Sequence, residues 1–277
     1  MQIAFHEATT MTSDLETDVT VTSRAGFKAL ELWAKKVDRF LETRAPEDLK
    51  ALFARNGIQP QAINSIEFIG FRGKEFPLIQ DRLHELCSIA LVIGCPTIVV
   101  VPSPAPDRNL SWGETQAEYV RVLRDLGDTA RPYGVRLGFE FLGFGWCSVR
   151  TPRAAFEIIK EVDRDNVGLV LDAAHFYAGG GLMSEIEQLD AGRLFSFHLD
   201  DLEDAPKEAA SDATRLLPGK GVIPLNDICE RLHRIGYNGP CSIELFRPEY
   251  WEWDPGTLAL EAHKAACEVL APYFELE

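Results

Sequence analysis

What this chain lacks removes several classes of function. Its 277 residues contain no apolar run near the roughly 18 residues that a membrane span requires. Six cysteines (Cys87, Cys95, Cys147, Cys229, Cys241 and Cys267) are scattered without Cys-x-x-Cys spacing. Several sit inside helical or strand patterns, which suits reduced packing residues better than disulfides or zinc knuckles, so any bound metal must use other ligands. Basic residues are scarce: 28 Lys and Arg stand against 43 Asp and Glu, a net charge of -15. That balance repels phosphate backbones and anionic membrane surfaces and argues against either as a partner. The opening Met1 to Glu7 has neither a basic flank nor a signal-like apolar region, so the expected location is the cytoplasm.

What is present is a repeated unit: a helical segment, a small or turn residue, then a short apolar strand. The expected strands are Gln2 to Phe5, Ala29 to Leu32, Pro60 to Ile63, Thr97 to Val101, Val135 to Phe139, Val167 to Leu171, Leu194 to Phe197 and Cys241 to Ile243. Between them helical periodicity runs roughly over Ser13 to Ala25, Pro46 to Asn56, Glu75 to Ile93, Glu114 to Arg131, Pro152 to Glu161, Ser184 to Asp190, Pro224 to Arg234 and Thr257 to Pro272. Gly26, Gly57, Gly94, Gly134, Gly192 and Gly236 each fall between a helix and the next strand, where a left-handed cap is sterically cheap; Arg164-Asp165-Asn166 serves the remaining joint. Pro46, Pro152 and Pro224 fall near helix starts. Strands alternating with helices imply parallel right-handed crossovers, and the length suits one α/β domain over residues 1–277, a (β/α)8 TIM barrel. An open doubly wound sheet is the alternative, but no Gly-x-Gly-x-x-Gly turn follows the first strand.

The ends of the last four strands favour the barrel. Four apolar runs stop abruptly at Glu140, Asp172, His198 and Glu244. In a closed parallel barrel the strand C-termini share one mouth, so these side chains converge there and form an oxygen and nitrogen set suited to manganese, zinc or magnesium. Any one of them could be only a polar residue at a strand end. Four in register on successive strands argue otherwise, because unpaired buried acids are costly. His175, three residues past Asp172, either lines the pocket or caps the next helix. Arg247 either binds a substrate oxygen or pairs with Glu249. The stretch from Asp200 to Val222 is the longest irregular segment and a candidate lid, from which Arg215 and Lys220 are candidates to reach the substrate, with solvation, the usual state of exposed basic loop residues, as the alternative. Trp146, Trp251 and Trp253 are candidate walls for a sugar-like ring, with packing as the plainer alternative.

Several stretches carry a resemblance: Phe5-His6-Glu7-Ala8-Thr9-Thr10, Asp165 to Asp172 followed by His175-Phe176, His198-Leu199-Asp200-Asp201, Arg215-x-x-Pro218-Gly219-x-Gly221 and Glu244-Leu245-Phe246-Arg247-Pro248-Glu249-Tyr250. Nearly end to end, the chain resembles the xylose-isomerase-like barrels, a superfamily of sugar epimerases and isomerases, and within it the bacterial inosose isomerases of inositol catabolism. The resemblance implies that Glu140, Asp172, His198 and Glu244 ligate one divalent ion, manganese or zinc, and that Glu140 and Glu244 double as general base and acid. The related apurinic endonucleases need further histidines for a trinuclear zinc site, where this chain offers Asn64 and Pro102-Ser103; a single metal follows. Sugar epimerases carry an arginine soon after the seventh-strand histidine, where this chain has Asp200, Asp201 and Asp204, so the far side of the substrate must be held differently.

The expected function is therefore a metal-dependent isomerase of a small cyclic polyol ketone, 2-keto-myo-inositol to 1-keto-D-chiro-inositol, through an enediolate. The alternatives are a keto-sugar epimerase or dehydratase with the same chemistry, and a polyol-binding protein without turnover. Homo-oligomerisation is left open.

Overall fold

The computed structural model describes residues 1–107 and 110–277. Eight strands, all paired in parallel, close into a barrel: β1 (Ile3–His6), β2 (Ala29–Trp33), β3 (Gln59–Ile66), β4 (Thr97–Val100), β5 (Arg136–Glu140), β6 (Val167–Asp172), β7 (Leu194–His198) and β8 (Cys241–Ile243). Each strand neighbours its sequence neighbours, and β1 pairs with β8 to close the ring. All eight expected strands are present; β3 is three residues longer at its end than expected, and the strand ends at Glu140, Asp172 and His198 include the polar residue itself.

The reason lies in the two-residue period of a strand. One set of alternate residues, such as Ile63, Ile98, Val100, Leu169 and Leu171, joins the large apolar layer between strands and helices. The other set forms a separate small cluster, with Ala62, Val99 and Val170 touching one another and Val101. Continuing this second set around the ring gives Ala4, Ala29, Ala62, Val99, Gly138, Val170, Ser196 and Ser242, a layer of small side chains. Gly138 is required there: a Cβ would meet Val170 Cγ2 at 2.7 Å. Two residues further along the same eight strands lie His6, Glu31, Asn64, Val101, Glu140, Asp172, His198 and Glu244, all buried. A narrow apolar floor thus supports a polar layer at the C-terminal mouth, where such barrels place their chemistry.

Local signals set the helices. Thr151 caps Pro152–Val162 by accepting from Ala154 N at 3.2 Å, and Ser111 with Glu114 forms a capping box on Trp112–Ala130. Five of the six joint glycines take positive φ; Gly192 instead lies in the 3-10 turn Ala191–Arg193, and Asp163 (φ 50) supplies the left-handed cap before β6. Among the described residues three α-helices lie outside the expected set, one of them the single turn Pro248–Trp251 after β8. Ala34–Leu41 follows β2 directly, and Ala173–Ala178 follows β6 with Asp172 as its cap. The segment expected at Ser184 to Asp190 contains only Met183–Ile186. Among the described residues no helix is long and apolar enough to cross a membrane.

The segment from Asp200 to Val222 is not a free lid. Asp201–Leu202 pairs antiparallel with Arg215–Leu216, and Asp200, Asp201 and Arg215 are buried. Asp201 is its anchor, accepting from the backbone N–H of Leu202 (2.9 Å), Gly221 (2.8 Å) and Ile223 (2.8 Å). Asp201→Ala leaves those donors without an acceptor, at about 1–3 kcal/mol for a buried group, so we expect a stability loss of roughly 2 kcal/mol or more in urea unfolding. Asp201→Asn, which keeps one acceptor oxygen, should lose less. An alanine variant within about 0.5 kcal/mol of the parent, the range of an ordinary surface change, would remove Asp201 from this role.

Candidate metal centre

Glu140, Asp172 and His198 are the last residues of β5, β6 and β7, and Glu244 follows β8. Asp172 and His198 stand in register across β6 and β7. Each of the four offers one ligand atom, all within 4.8 Å of one another, and all four residues are buried. His198 Nδ1 is central: Glu140 Oε1 lies at 3.0 Å, Glu244 Oε2 at 3.2 Å and Asp172 Oδ2 at 3.9 Å. Thr9 holds Glu244 from behind, donating through Oγ1 to Ile243 O (2.9 Å) and accepting from Leu245 N (3.0 Å), the residues on either side of it.

Two polar flanks brace this set. On the side of β1 to β3, His6 Nδ1 accepts from Ala8 N at 2.9 Å, which leaves the ring proton on Nε2, 3.1 Å from Glu244 Oε1. Asn64 Nδ2 donates to both Glu31 Oε1 and Glu244 Oε1 at 3.1 Å, and Glu31 Oε2 lies 3.2 Å from His198 Nε2. On the other side Arg215, 1% exposed, donates through one terminal nitrogen to Asp172 Oδ2 (2.7 Å), to Asp200 and to Glu244 Oε2 (3.2 Å). Its second terminal nitrogen donates to His175 Nε2 at 3.2 Å.

The electrostatics call for a cation at the centre. Burial alone would lower the pKa of His198, yet Glu31, Glu244 and Glu140 raise it well above the ordinary value, so the imidazole gathers positive charge. Burial, with Glu244 and Asp172 adding to it, pushes Glu140 up to about 8, although His198 opposes the shift. Burial would also raise Glu244, but His198, His6 and Arg215 outweigh it and hold that carboxyl well below the usual range. Three carboxylates and an imidazole crowded at this distance, with hard oxygen donors beside one borderline nitrogen, fit a divalent ion such as zinc or manganese.

Above the centre lies a pocket of about 250 Å³. Glu140 and Glu244 line it, whereas Asp172 and His198 do not. Trp33, Phe68, Phe144, Trp146 and Phe246 form its walls. Phe68 takes a positive φ of 59 and meets Trp146 edge-on at 6.1 Å. Of the residues singled out as substrate contacts, His175, Trp146 and Arg215 line the pocket. Arg215 is buried, not the solvated loop residue that exposed basic side chains suggest. Arg247 lies outside the lining, paired with Glu203 (2.6 Å) and Glu249 (3.3 Å), and Lys220 is exposed and also outside it. Trp251 Nε1 donates to Ala8 O at 2.9 Å and Trp253 packs on Tyr250, both away from the lining.

Sequence reasoning missed His6, Glu31, Asn64 and Asp200 as members of the site. For the first three a signal exists: each follows a small residue by two positions (Ala4, Ala29, Ala62), as Glu140 follows Gly138 and His198 follows Ser196. Asp200 and Arg215 meet through loop folding, which no spacing encodes.

His198→Ala should lose bound metal while keeping the fold, because the barrel's stability resides in its apolar layers and not at its mouth. Metal analysis beside circular dichroism tests this; full occupancy in the variant would exclude His198 as a ligand.

The description "Xylose isomerase-like TIM barrel" belongs to a family model that matches residues 19–270. An inosose isomerase of Halalkalibacterium halodurans is 34% identical over 280 residues, covering 100% of this chain and 99% of that one. An inosose isomerase of Bacillus subtilis is 34% identical over 279 residues, covering 100% of both. A crystal structure of IOLI protein with a bound zinc atom superposes with a TM-score of 0.96 at 34% identity, over 99% of this chain and 100% of that one. With eight parallel strands closed into a ring and matches along its whole length, this chain belongs to the xylose isomerase-like TIM barrel family.

Proposed function

We propose that this protein is a metal-dependent inosose isomerase that moves a carbonyl between adjacent carbons of a cyclic polyol, taking 2-keto-myo-inositol to 1-keto-D-chiro-inositol. The observation that carries this is the division of the four mouth residues: only Glu140 and Glu244 face the pocket, so the two carboxyls free to meet a substrate carbon are also the two that a proton transfer needs. Full-length similarity to inosose isomerases supports the substrate class.

Glu140, Asp172, His198 and Glu244 would hold a divalent ion, which would supply Lewis-acid stabilisation of negative charge on a bound ketone. Glu140 and Glu244 act as the acid-base pair: one takes the proton from the hydroxyl-bearing α-carbon and the other delivers a proton to the former carbonyl carbon. The proton of the α-hydroxyl passes to the former ketone oxygen of the enediolate, and exchange with water restores both carboxyls. His175 accepts from Arg215 through Nε2, so its proton sits on Nδ1, which is buried and without a protein partner. Burial lowers its pKa and keeps the ring neutral. That N–H is the donor for a substrate hydroxyl. The aromatic walls take the C–H faces of the ring and keep water from the enediolate.

Charge in the lining favours this substrate over a phosphorylated or carboxylated keto-sugar for an epimerase or dehydratase. Glu67, Glu140, Asp212 and Glu244 line the pocket against one guanidinium, and Arg215 is already shared among Asp172, Asp200, Asp212 and Glu244. An anionic group would meet uncompensated like charge. The same charge argues against a nucleic acid partner. Asn64 bridges two carboxylates and Ser103 Oγ donates to Gly70 O at 2.5 Å, so neither occupies the place of an extra zinc ligand.

In D2O the protein should introduce solvent deuterium into 2-keto-myo-inositol and yield the isomer seen by NMR. Glu244→Gln should lower turnover by at least about a hundredfold, the lower range for losing acid-base catalysis, with metal content measured in parallel. A metal-loaded variant with near-parental turnover would rule Glu244 out. Abasic duplex DNA should remain intact with manganese or zinc; metal-dependent incision lost in Glu244→Gln would move this chain to the nuclease branch of its family.

A further inference from the structure

We infer that Glu31 is a positioning residue for the metal centre, acting through His198. This rests on the ligand set proposed above and concerns how one ligand is held. The two ring nitrogens of His198 face opposite ways. Nδ1 points into the set, 3.0 Å from Glu140 Oε1 and 3.2 Å from Glu244 Oε2, while Nε2 points out of it, 3.2 Å from Glu31 Oε2. In this arrangement neither Nε2 nor that oxygen makes a hydrogen bond to any group, and both are shut off from water, which leaves two unpaired buried polar atoms 3.2 Å apart. Glu31 lies beyond the ring and is absent from the group whose ligand atoms converge.

An imidazole that gives one nitrogen to a metal carries its proton on the other, and the acceptor found there sets the ring's tautomer and rotation and raises its basicity as a ligand. Glu31 is the carboxylate within reach of Nε2 to serve as that acceptor, and it is itself fixed. Its other oxygen accepts from Asn64 at 3.1 Å, and it stands in register with His6 across β1 and β2. A carboxylate in this place, in the middle of strand β2 with no exposure, holds the imidazole plane without contacting substrate: Glu31 is not part of the pocket lining.

The test is the zinc dissociation constant by chelator competition, on the full chain, for the parent, Glu31→Gln and Glu31→Ala. Loss of such an outer partner typically weakens metal binding about 10–100-fold. We expect Glu31→Gln near the lower figure and Glu31→Ala near the upper. A role in folding alone would lower the melting temperature of the metal-free protein and leave zinc affinity of the folded molecules unchanged. The second readout is the Nε2–H proton resonance of His198 in the zinc-loaded protein, which should move upfield in Glu31→Gln as a carboxylate acceptor becomes an amide. Asn64→Ala, which leaves Glu31 against His198, should keep that resonance near its parental position. Should Glu31→Ala fail to fold, Glu31→Gln decides alone. Parental affinity with an unshifted resonance in Glu31→Gln overturns this role for Glu31; failure of the parent protein to bind zinc at all overturns the metal centre instead.

Discussion

Five carboxyls, those of Glu31, Glu140, Asp172, Asp200 and Glu244, are buried around one histidine, and the rest of the mouth is arranged to make that tolerable. An isolated buried carboxylate is costly, so each finds compensation. Arg215 serves Asp172, Asp200 and Glu244; Asn64 serves Glu31 and Glu244; His198 serves Glu140; the backbone of Ala174 and His175 serves Asp200 and Asp172. One guanidinium against five acids still leaves an excess of negative charge. His198 is driven toward its charged form by the excess, and Glu140 is driven toward its neutral form. Both shifts are responses to the same excess of negative charge, which a divalent ion among these residues would offset. The metal reading therefore rests on charge balance as well as on ligand geometry.

The barrel makes this concentration of charge affordable by separating it from the core. Strand periodicity sends one alternate set of side chains outward to the helices and the other inward. Inside, small residues close the lower barrel, so the polar layer above rests on a dry floor of Ala62, Val99 and Val170 and is not undermined by water. A bulkier inner residue at Gly138 would push directly on Val170, two residues before Asp172 on the same strand. Floor and site are thus coupled through single strands, and the precision of the ligand set is inherited from packing one layer below it.

Much of this was legible in the chain. The eight strands and the four strand-end residues follow from apolar runs that stop at an acid or a histidine, since only a buried strand ending at a polar mouth needs that pattern. His6, Glu31 and Asn64 obey the same two-residue rule but are hidden by their surroundings. Glu31 sits in the middle of Ala29-Leu30-Glu31-Leu32-Trp33, so no apolar run stops at it, and Asn64 lies within a strand that runs on to Ile66. The helix Ala173–Ala178 is short and begins directly after the strand-end Asp172, so its periodicity is too brief to register. Arg215 is beyond such reasoning altogether. It is separated from Asp172 by 43 positions and reaches it through the paired segment that Asp201 anchors.

The placement of Arg215 decides how substrate recognition is shared. A free arginine at the rim would serve as a direct anion or carbonyl ligand, whereas this one is buried, and its terminal nitrogens are committed to three carboxylates and to His175. Moving it toward a substrate would strip Asp172 and Asp200 of their compensation, so its effect on the pocket must be indirect. His175 is the intermediary. By donating to Nε2, Arg215 compels the proton of the neutral ring onto Nδ1 and so turns a residue with two equivalent tautomers into a donor of fixed sense. A hydroxyl or carbonyl oxygen is what such a donor selects. The segment that carries Arg215 thereby fixes the sense of one donor in the pocket lining, through one hydrogen bond whose direction is set by the only partner in it that cannot accept.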